Sequence, residues 1–179
     1  MKKIIFITVL SFCATTLFAQ GIRHVHGVKS FELGAGTSQV AKMFYGSYVN
    51  YFTSKLYLKG SLFYSMGEDK DLKFTAVGVD AGLNRTIFDL GEIFYFNLGG
   101  GLTFSVDQLN PAIKVYDEEG NVTENNYNTP KFGLFGNIET ETFIHDKIVL
   151  IVGVNQKWLF GEEFGKTRWF ATAGLRYNF

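Results

Sequence analysis

Few side chains in this sequence are suited to catalysis. Histidine occurs only at His24, His26 and His145, and the single cysteine is Cys13. Acyl transfer or hydrolysis needs a nucleophile held within hydrogen-bond reach of a base. Two of the histidines lie close to the N-terminus and the third falls in a short connection, so none reaches the end where the longer connections gather. The alternating pair His24 and His26 supplies two metal ligands without a third or fourth, and a solvated arm is the simpler reading. Asp117, Glu118 and Glu119 beside Gly120 and Asn121 offer oxygens to calcium. They lack the spacing of an EF-hand loop and read as a solvated acidic loop. No catalytic residue, metal site or cofactor is expected, and no enzymatic activity.

The informative charges stand singly among alternating small and apolar residues: Lys59, Asp80, Glu139, Glu141, Lys157, Arg168 and Arg176. Their chemistry is pairing. A charge on the inner face of a strand persists only when an opposite charge and hydrogen bonds compensate it. The elements that must position them are strands, because successive strand side chains point to opposite faces. Residues 166–179 show this clearly. Trp169, Ala171, Ala173, Leu175, Tyr177 and Phe179 form an apolar face against Arg168, Phe170, Thr172, Gly174, Arg176 and Asn178. The final aromatic closes the strand as it does in outer-membrane barrels, so Leu175, Tyr177 and Phe179 read as a C-terminal assembly signal.

The same alternation recurs upstream. Phe31, Leu33 and Ala35 oppose Ser30, Glu32, Gly34 and Gly36, and Leu56, Leu58, Leu62 and Tyr64 oppose Tyr57, Lys59, Ser61 and Phe63. Val77, Val79 and Leu83 oppose Gly78, Asp80, Gly82 and Asn84. Phe94 through Val106 sets large residues against Tyr95, Asn97, Gly99, Gly101, Thr103 and Ser105. Phe132, Leu134 and Ile138 then oppose Gly133, Phe135, Asn137, Glu139 and Glu141. In the next segment Val152, Val154 and Trp158 oppose Gly153, Asn155 and Lys157, although Val149 and Ile151 blur its lower half. Residues 43–52 carry aromatics on both faces (Phe44, Tyr48 and Phe52 against Tyr45, Val49 and Tyr51), which leaves that strand unoriented. Connections are expected at 37–42, 53–55, 67–71, 89–92, 107–129, 144–147 and 161–165.

These segments number eight, each long enough to cross a bilayer at about 9–11 tilted residues. The expected fold class is all-β, an eight-stranded antiparallel up-and-down transmembrane β-barrel. Bacterial single-chain barrels have even strand numbers, short periplasmic turns and long outer loops. With a periplasmic N-terminus the longest connection, 107–129, falls on the outer side as that rule requires. Composition agrees: aromatic residues make up 17% of the chain, and Gly 20 against Pro 2 suits glycine-studded strands with aromatic girdles. A soluble β-sandwich can share that composition. The balanced formal charge gives no reason to expect nucleic-acid binding.

The N-terminus reads as an export signal. Lys2 and Lys3 precede an apolar run from Ile4 to Phe12, and small residues lead to a cleavage site after Ala19. The run is too short to span a bilayer as a helix. Phe12 is too large to precede a lipidated Cys13. Three parts are therefore expected: a cleaved signal peptide at 1–19, a short periplasmic arm at 20–27, and the barrel at 28–179. Cleavage removes the only cysteine, and losing Lys2 and Lys3 leaves 15 basic against 17 acidic side chains. The expected location is the outer membrane of a Gram-negative bacterium, with lipid and the barrel-assembly machinery as partners.

An eight-stranded barrel is filled by side chains and leaves no aqueous channel. Hairpin counting puts Glu141 and Arg176 at similar heights on the strands that flank residues 148–158, so a carboxylate–guanidinium cluster is expected there. Asp80, Glu139, Lys157 and Arg168 join the interior charge set, with Arg168 near the outer mouth. The role expected of this set is to fill the core.

One stretch carries a family likeness. Phe135-Gly136-Asn137-Ile138-Glu139-Thr140-Glu141-Thr142-Phe143, then Asp146-Lys147-Ile148-Val149-Leu150, then Trp158-Leu159-Phe160-Gly161 and Gly165-Lys166-Thr167 resemble the TraO family of conjugative-transposon proteins. Lys73-Phe74-Thr75 and Phe94-Tyr95-Phe96-Asn97-Leu98-Gly99 also fit. The resemblance implies a non-enzymatic outer-membrane component of a conjugative DNA-transfer apparatus, with other conjugation proteins as partners. The other reading is a stand-alone small barrel of the OmpA or OmpX type, acting in adhesion or surface interaction through the 107–129 loop.

Overall fold

The computed structural model describes residues 26–69, 72–91, 93–110, 113–116, 122–125, 128–160 and 167–179. The signal segment, His24, the acidic run 117–121 and residues 161–166 lie outside them. Eight strands close into one antiparallel barrel: β1 (Lys29–Thr37), β2 (Ala41–Tyr51), β3 (Leu56–Asp69), β4 (Leu72–Leu90), β5 (Phe94–Asn110), β8 (Asn128–His145), β9 (Ile148–Phe160) and β10 (Thr167–Asn178). Between β5 and β8, β6 (Ile113–Tyr116) and β7 (Val122–Asn125) pair as a separate ribbon. Closure is made by β1 against β10, from Ser30 opposite Asn178 to Thr37 opposite Ala171. A closed ladder leaves no strand edge in the barrel wall, which is the condition for strands to stand in lipid.

The alternation seen in the sequence is the alternation of burial. Leu33, Leu62, Leu102 and Phe132 are each more than 60% exposed on the outer wall, whereas Glu32, Asn97, Glu141 and Arg176 are 1% exposed or less inside it. An apolar belt running round the whole barrel is far larger than the few hundred Å² a water-soluble monomer tolerates, and suits a hydrocarbon solvent. Phe31, Tyr48 and Tyr177 form one outward row across β2, β1 and β10. Trp158 and Trp169 face outward nearer the opposite end. These are the two aromatic levels that flank a membrane-facing band.

The two ends of the barrel differ. At one end the connections are tight: residues 52–55, 91–93 and 146–147 join β2 to β3, β4 to β5 and β8 to β9. Gly91 supplies a positive φ of 58° for the β4–β5 turn. At the other end, 17 residues (111–127) join β5 to β8. The strands run further towards that end than the alternation indicated. Asp107 belongs to β5 and Thr129 to β8, so the connection expected at 107–129 is shorter and contains its own ribbon. The expected loops at 37–42 and 67–71 contract likewise, to 38–40 and 70–71. The physical reason is that polar residues continue the hydrogen-bonded ladder beyond the apolar band, where side-chain alternation no longer signals a strand.

β2 is now oriented. Met43, Tyr45, Ser47, Val49 and Tyr51 point inward, and Phe44 and Tyr48 outward. Val149 and Ile151 of β9 also face inward, at 0% and 1% exposure. They pack with Tyr95 and Phe143 into an apolar cluster near the turn end. Interior glycines make room for large inner side chains. A Cβ at Gly82 would lie 2.6 Å from the Phe135 ring, and one at Gly34 would lie 2.4 Å from the Tyr45 ring.

Candidate functional site

The interior charges fall into three tiers along the barrel axis. The tier nearest the turn end is built around Arg176. Its Nη1 donates to Glu141 Oε1 at 2.6 Å and to Tyr51 Oη at 2.6 Å. Its Nη2 donates to Glu32 Oε2 at 2.8 Å and Glu139 Oε1 at 3.1 Å, and Nε reaches Glu32 Oε2 at 3.0 Å. Lys59 Nζ bridges Glu32 and Glu139 at 2.9 Å each. Tyr57 donates to Glu139, and Tyr51 to Glu141 at 3.1 Å. Asn97 Nδ2 donates to Glu141 at 2.8 Å while its own oxygen accepts from Thr86 at 2.7 Å. The guanidinium fork is what allows one side chain to serve three carboxylates on β1 and β8.

The middle tier is one pair, Lys157 Nζ donating to both oxygens of Asp80 at 2.9 and 2.7 Å. The ammonium also sits 3.2 Å from the centre of the Phe63 ring. That cation–π contact replaces part of the lost hydration. In the outer tier Asp107 accepts from both terminal nitrogens of Arg168 and lies 2.9 Å from Lys131 Nζ. Arg168 stacks over Phe74 at 4.8 Å.

Of the seven interior charges singled out in the sequence, six are buried at no more than 8% exposure, and the Lys59 side chain is 12% exposed. Glu139, Glu141 and Arg176 meet in one cluster, Asp80 meets Lys157, and Arg168 stands apart from both. Sequence reasoning left out Glu32, Tyr51, Tyr57, Asp107 and Lys131. All but Tyr51, which lies on the unoriented strand, share the parity of recognised inward residues: Asp107 follows Thr103 and Ser105, and Lys131 precedes Gly133 and Phe135. Strand parity carried past the apolar band would have found the last two. Leu175, Tyr177 and Phe179 face outward on the final strand, at 53%, 49% and 56% exposure.

Formal charge is graded along the axis. Three carboxylates face two cations in the turn-end tier, one faces one in the middle, and one faces two in the outer tier. The arrangement is suited to holding strands in register and poorly suited to acid–base or nucleophilic catalysis. Among the described residues no group of three or more His, Cys, Asp and Glu could hold a metal ion. His26 and His145 are exposed residues outside the interior.

A closed eight-stranded barrel with an apolar outer wall and an ion-paired core defines the class: this is the fold of the small outer-membrane β-barrels. Solved structures agree. The N-terminal β-barrel domain of Pseudomonas aeruginosa OprF is similar at 14% identity, over 86% of this chain and 98% of that one, with a TM-score of 0.59. Ail, the attachment invasion locus protein of Yersinia pestis, is similar at 13% identity, over 87% and 100%, with a TM-score of 0.58. Neisserial surface protein A is similar at 14% identity, over 85% and 96%, with a TM-score of 0.58. At such identities the likeness is one of fold. No protein-family profile and no curated protein sequence matches the chain, so the TraO resemblance gains no support from either.

Proposed function

We propose that this protein is a stand-alone small barrel of the Gram-negative outer membrane that acts at the cell surface through its outer rim, chiefly through residues 111–127. The carrying observation is the asymmetry of the barrel. Its lumen is filled by ion pairs and aromatic rings, one end has tight turns, and the other bears a 17-residue excursion with its own ribbon. Export would use residues 1–19, and Leu175, Tyr177 and Phe179 would present the last strand to the barrel-assembly machinery.

The rim segment is acidic. Residues 111–127 contain Lys114 against Asp117, Glu118, Glu119 and Glu124. One Ail structure is a complex with the heparin analogue sucrose octasulfate. That polyanionic chemistry does not suit this segment, whose charge favours a basic protein surface. The test replaces residues 111–127 by an Asn-Gly turn and compares adhesion of barrel-displaying cells to lysine-rich and to heparin-coated surfaces. Loss of binding to the lysine-rich surface alone is expected. Undiminished binding by the shortened barrel, present at wild-type level in the outer membrane, removes the reading.

The second reading is a component of a conjugative transfer apparatus, and the run Phe135 to Phe143 favours it. In the structure Glu139 and Glu141 of that run point into the barrel and bind Arg176. Interior packing therefore accounts for part of the resemblance without a transfer partner. Deleting the gene and measuring transfer frequency decides: an unchanged frequency rejects the transfer role.

A further inference from the structure

The lipid-facing side of β10 combines two features that the packing of the interior does not explain. At the turn end, two lysines straddle the strand. Asn178 N donates to the Lys147 carbonyl at 2.8 Å on one side, and Phe179 N donates to the Lys29 carbonyl at 2.9 Å on the other. Both lysines are exposed, and Lys29 shares the outward face of β1 with Phe31 and Leu33. The Lys147 ammonium lies 6.0 Å from the centre of the outward Tyr177 ring. Further along the same strand, Ala35, Val152, Val154, Ala171 and Ala173 line an apolar groove in the outer wall.

We propose that this is a phospholipid site: Lys29 and Lys147 clamp the phosphate of an anionic phospholipid, and the groove seats one of its acyl chains. Only β10 separates β1 from β9, which puts the two lysine backbones about 10 Å apart, so their flexible stems converge on one phosphate beside Tyr177. Among the described residues neither ammonium has a carboxylate partner, Asp146 included, so neither charge is already neutralised. From Tyr177 to Ala171 the strand rises about 20 Å. At the roughly 40° tilt of barrel strands that is about 15 Å along the membrane normal, the hydrocarbon depth of one leaflet. A soluble anion would engage the lysines and leave the groove unused, whereas an amphiphile engages both. Assigning the lipid to the periplasmic leaflet rests on the orientation proposed above; the site itself requires only that the barrel stand in a bilayer.

The test reconstitutes the full barrel in nanodiscs of phosphatidylcholine with a minor fraction of phosphatidylglycerol, and native mass spectrometry counts the lipid that stays bound. Preferential retention of one phosphatidylglycerol is expected. Lys29→Gln and Lys147→Gln should each lower the retained fraction about fivefold, the effect of one basic side chain at an anionic membrane surface. Lys29→Arg keeps the charge and should keep the lipid. Ala173→Phe fills the groove without changing charge and should also lower retention. Lys73→Gln removes an exposed cation from the outer end of β4 and should leave retention unchanged. The heat-dependent gel shift verifies that each variant is folded. Equal loss in Lys73→Gln would show that retention follows net charge and overturns the proposal. Retention that neither Lys29→Gln nor Lys147→Gln lowers overturns it as well, as does retention unchanged in Ala173→Phe, since the groove would then seat nothing.

Discussion

Arg176→Ala tests the interior most severely. The guanidinium makes bonds of 3.1 Å or less to Glu32, Glu139, Glu141 and Tyr51, and the residue is 1% exposed. Its removal leaves three carboxylates facing Lys59 alone, at the seam where β1 meets β10. Breaking a buried ion pair from one side costs about 3–5 kcal/mol, because the remaining charge stays buried without compensation. The cavity left by the side chain adds to this, so Arg176→Ala is expected to lose at least about 3 kcal/mol. Arg176→Lys keeps the charge, forfeits the fork, and recovers only part of it. Urea titration of the barrel in lipid vesicles measures the loss by linear extrapolation. Trp158 and Trp169 are both on the outer wall, so their fluorescence reports lipid contact directly. A double-mutant cycle with Glu141→Gln isolates the 2.6 Å pair, with an expected coupling of about 1–3 kcal/mol. If Arg176→Ala unfolds within about 1 kcal/mol of the parent protein, the cluster does not hold the seam and the account of the interior fails.

The other predictions separate the outer wall, the core and the glycine positions. Leu102→Arg places a charge half-way along β5 on the outer wall and should cost about 2–4 kcal/mol, whereas Gln108→Arg near the rim should cost about 0–1 kcal/mol. Equal urea midpoints would mean that no lipid belt covers Leu102. Lys157→Met strands Asp80 and should cost about 3 kcal/mol or more, while Asp80→Leu with Lys157→Met should be neutral or stabilising. Finding the double variant as weak as the single one would show that the pair is needed for more than mutual neutralisation. A Cβ at Gly101 would meet the Ala81 carbonyl oxygen at 2.1 Å and the Gly82 backbone at 2.4 Å, so Gly101→Ala should cost about 1–3 kcal/mol. Gly60→Ala, with nothing within 4 Å, should stay within about 0.5 kcal/mol, and a reversed order in refolding yield would contradict the close β4–β5 contact.

The sequence was most legible where chemistry and geometry share one period. In the middle of β4, β5 and β8 most inward residues are small or polar, because the lumen is narrow and the outside is lipid; parity alone then orients each strand. In β2 that signal is lost. Tyr45 and Tyr51 are aromatic yet inward, since a tyrosine carries an apolar ring and a hydroxyl that can join an interior hydrogen-bond network, as Tyr51 does with Glu141. The pairing of Glu141 with Arg176 could be counted from hairpins, because β8, β9 and β10 are sequential neighbours. The roles of Glu32 and Lys59 could not, because they reach Arg176 and Glu139 around the closure or across the lumen. Such contacts depend on the shear of the barrel, which no local pattern encodes.

The placement of charge also narrows where function can lie. Among the described residues five carboxylates (Glu32, Asp80, Asp107, Glu139 and Glu141) and five cations (Lys59, Lys131, Lys157, Arg168 and Arg176) occupy the interior, and all ten take part in ion pairs. A lumen neutralised in this way is organised to hold eight strands in one register. The outer wall is committed to lipid by its exposed leucines, valines and aromatics. The tight turns at one end offer little surface. The surface role proposed above therefore rests on the rim that carries β6 and β7, the part of the chain whose composition departs from barrel alternation and turns acidic. The part of the resemblance that rests on Glu139 and Glu141 speaks to how the barrel is filled, and variation in residues 111–127 tests the proposed surface role.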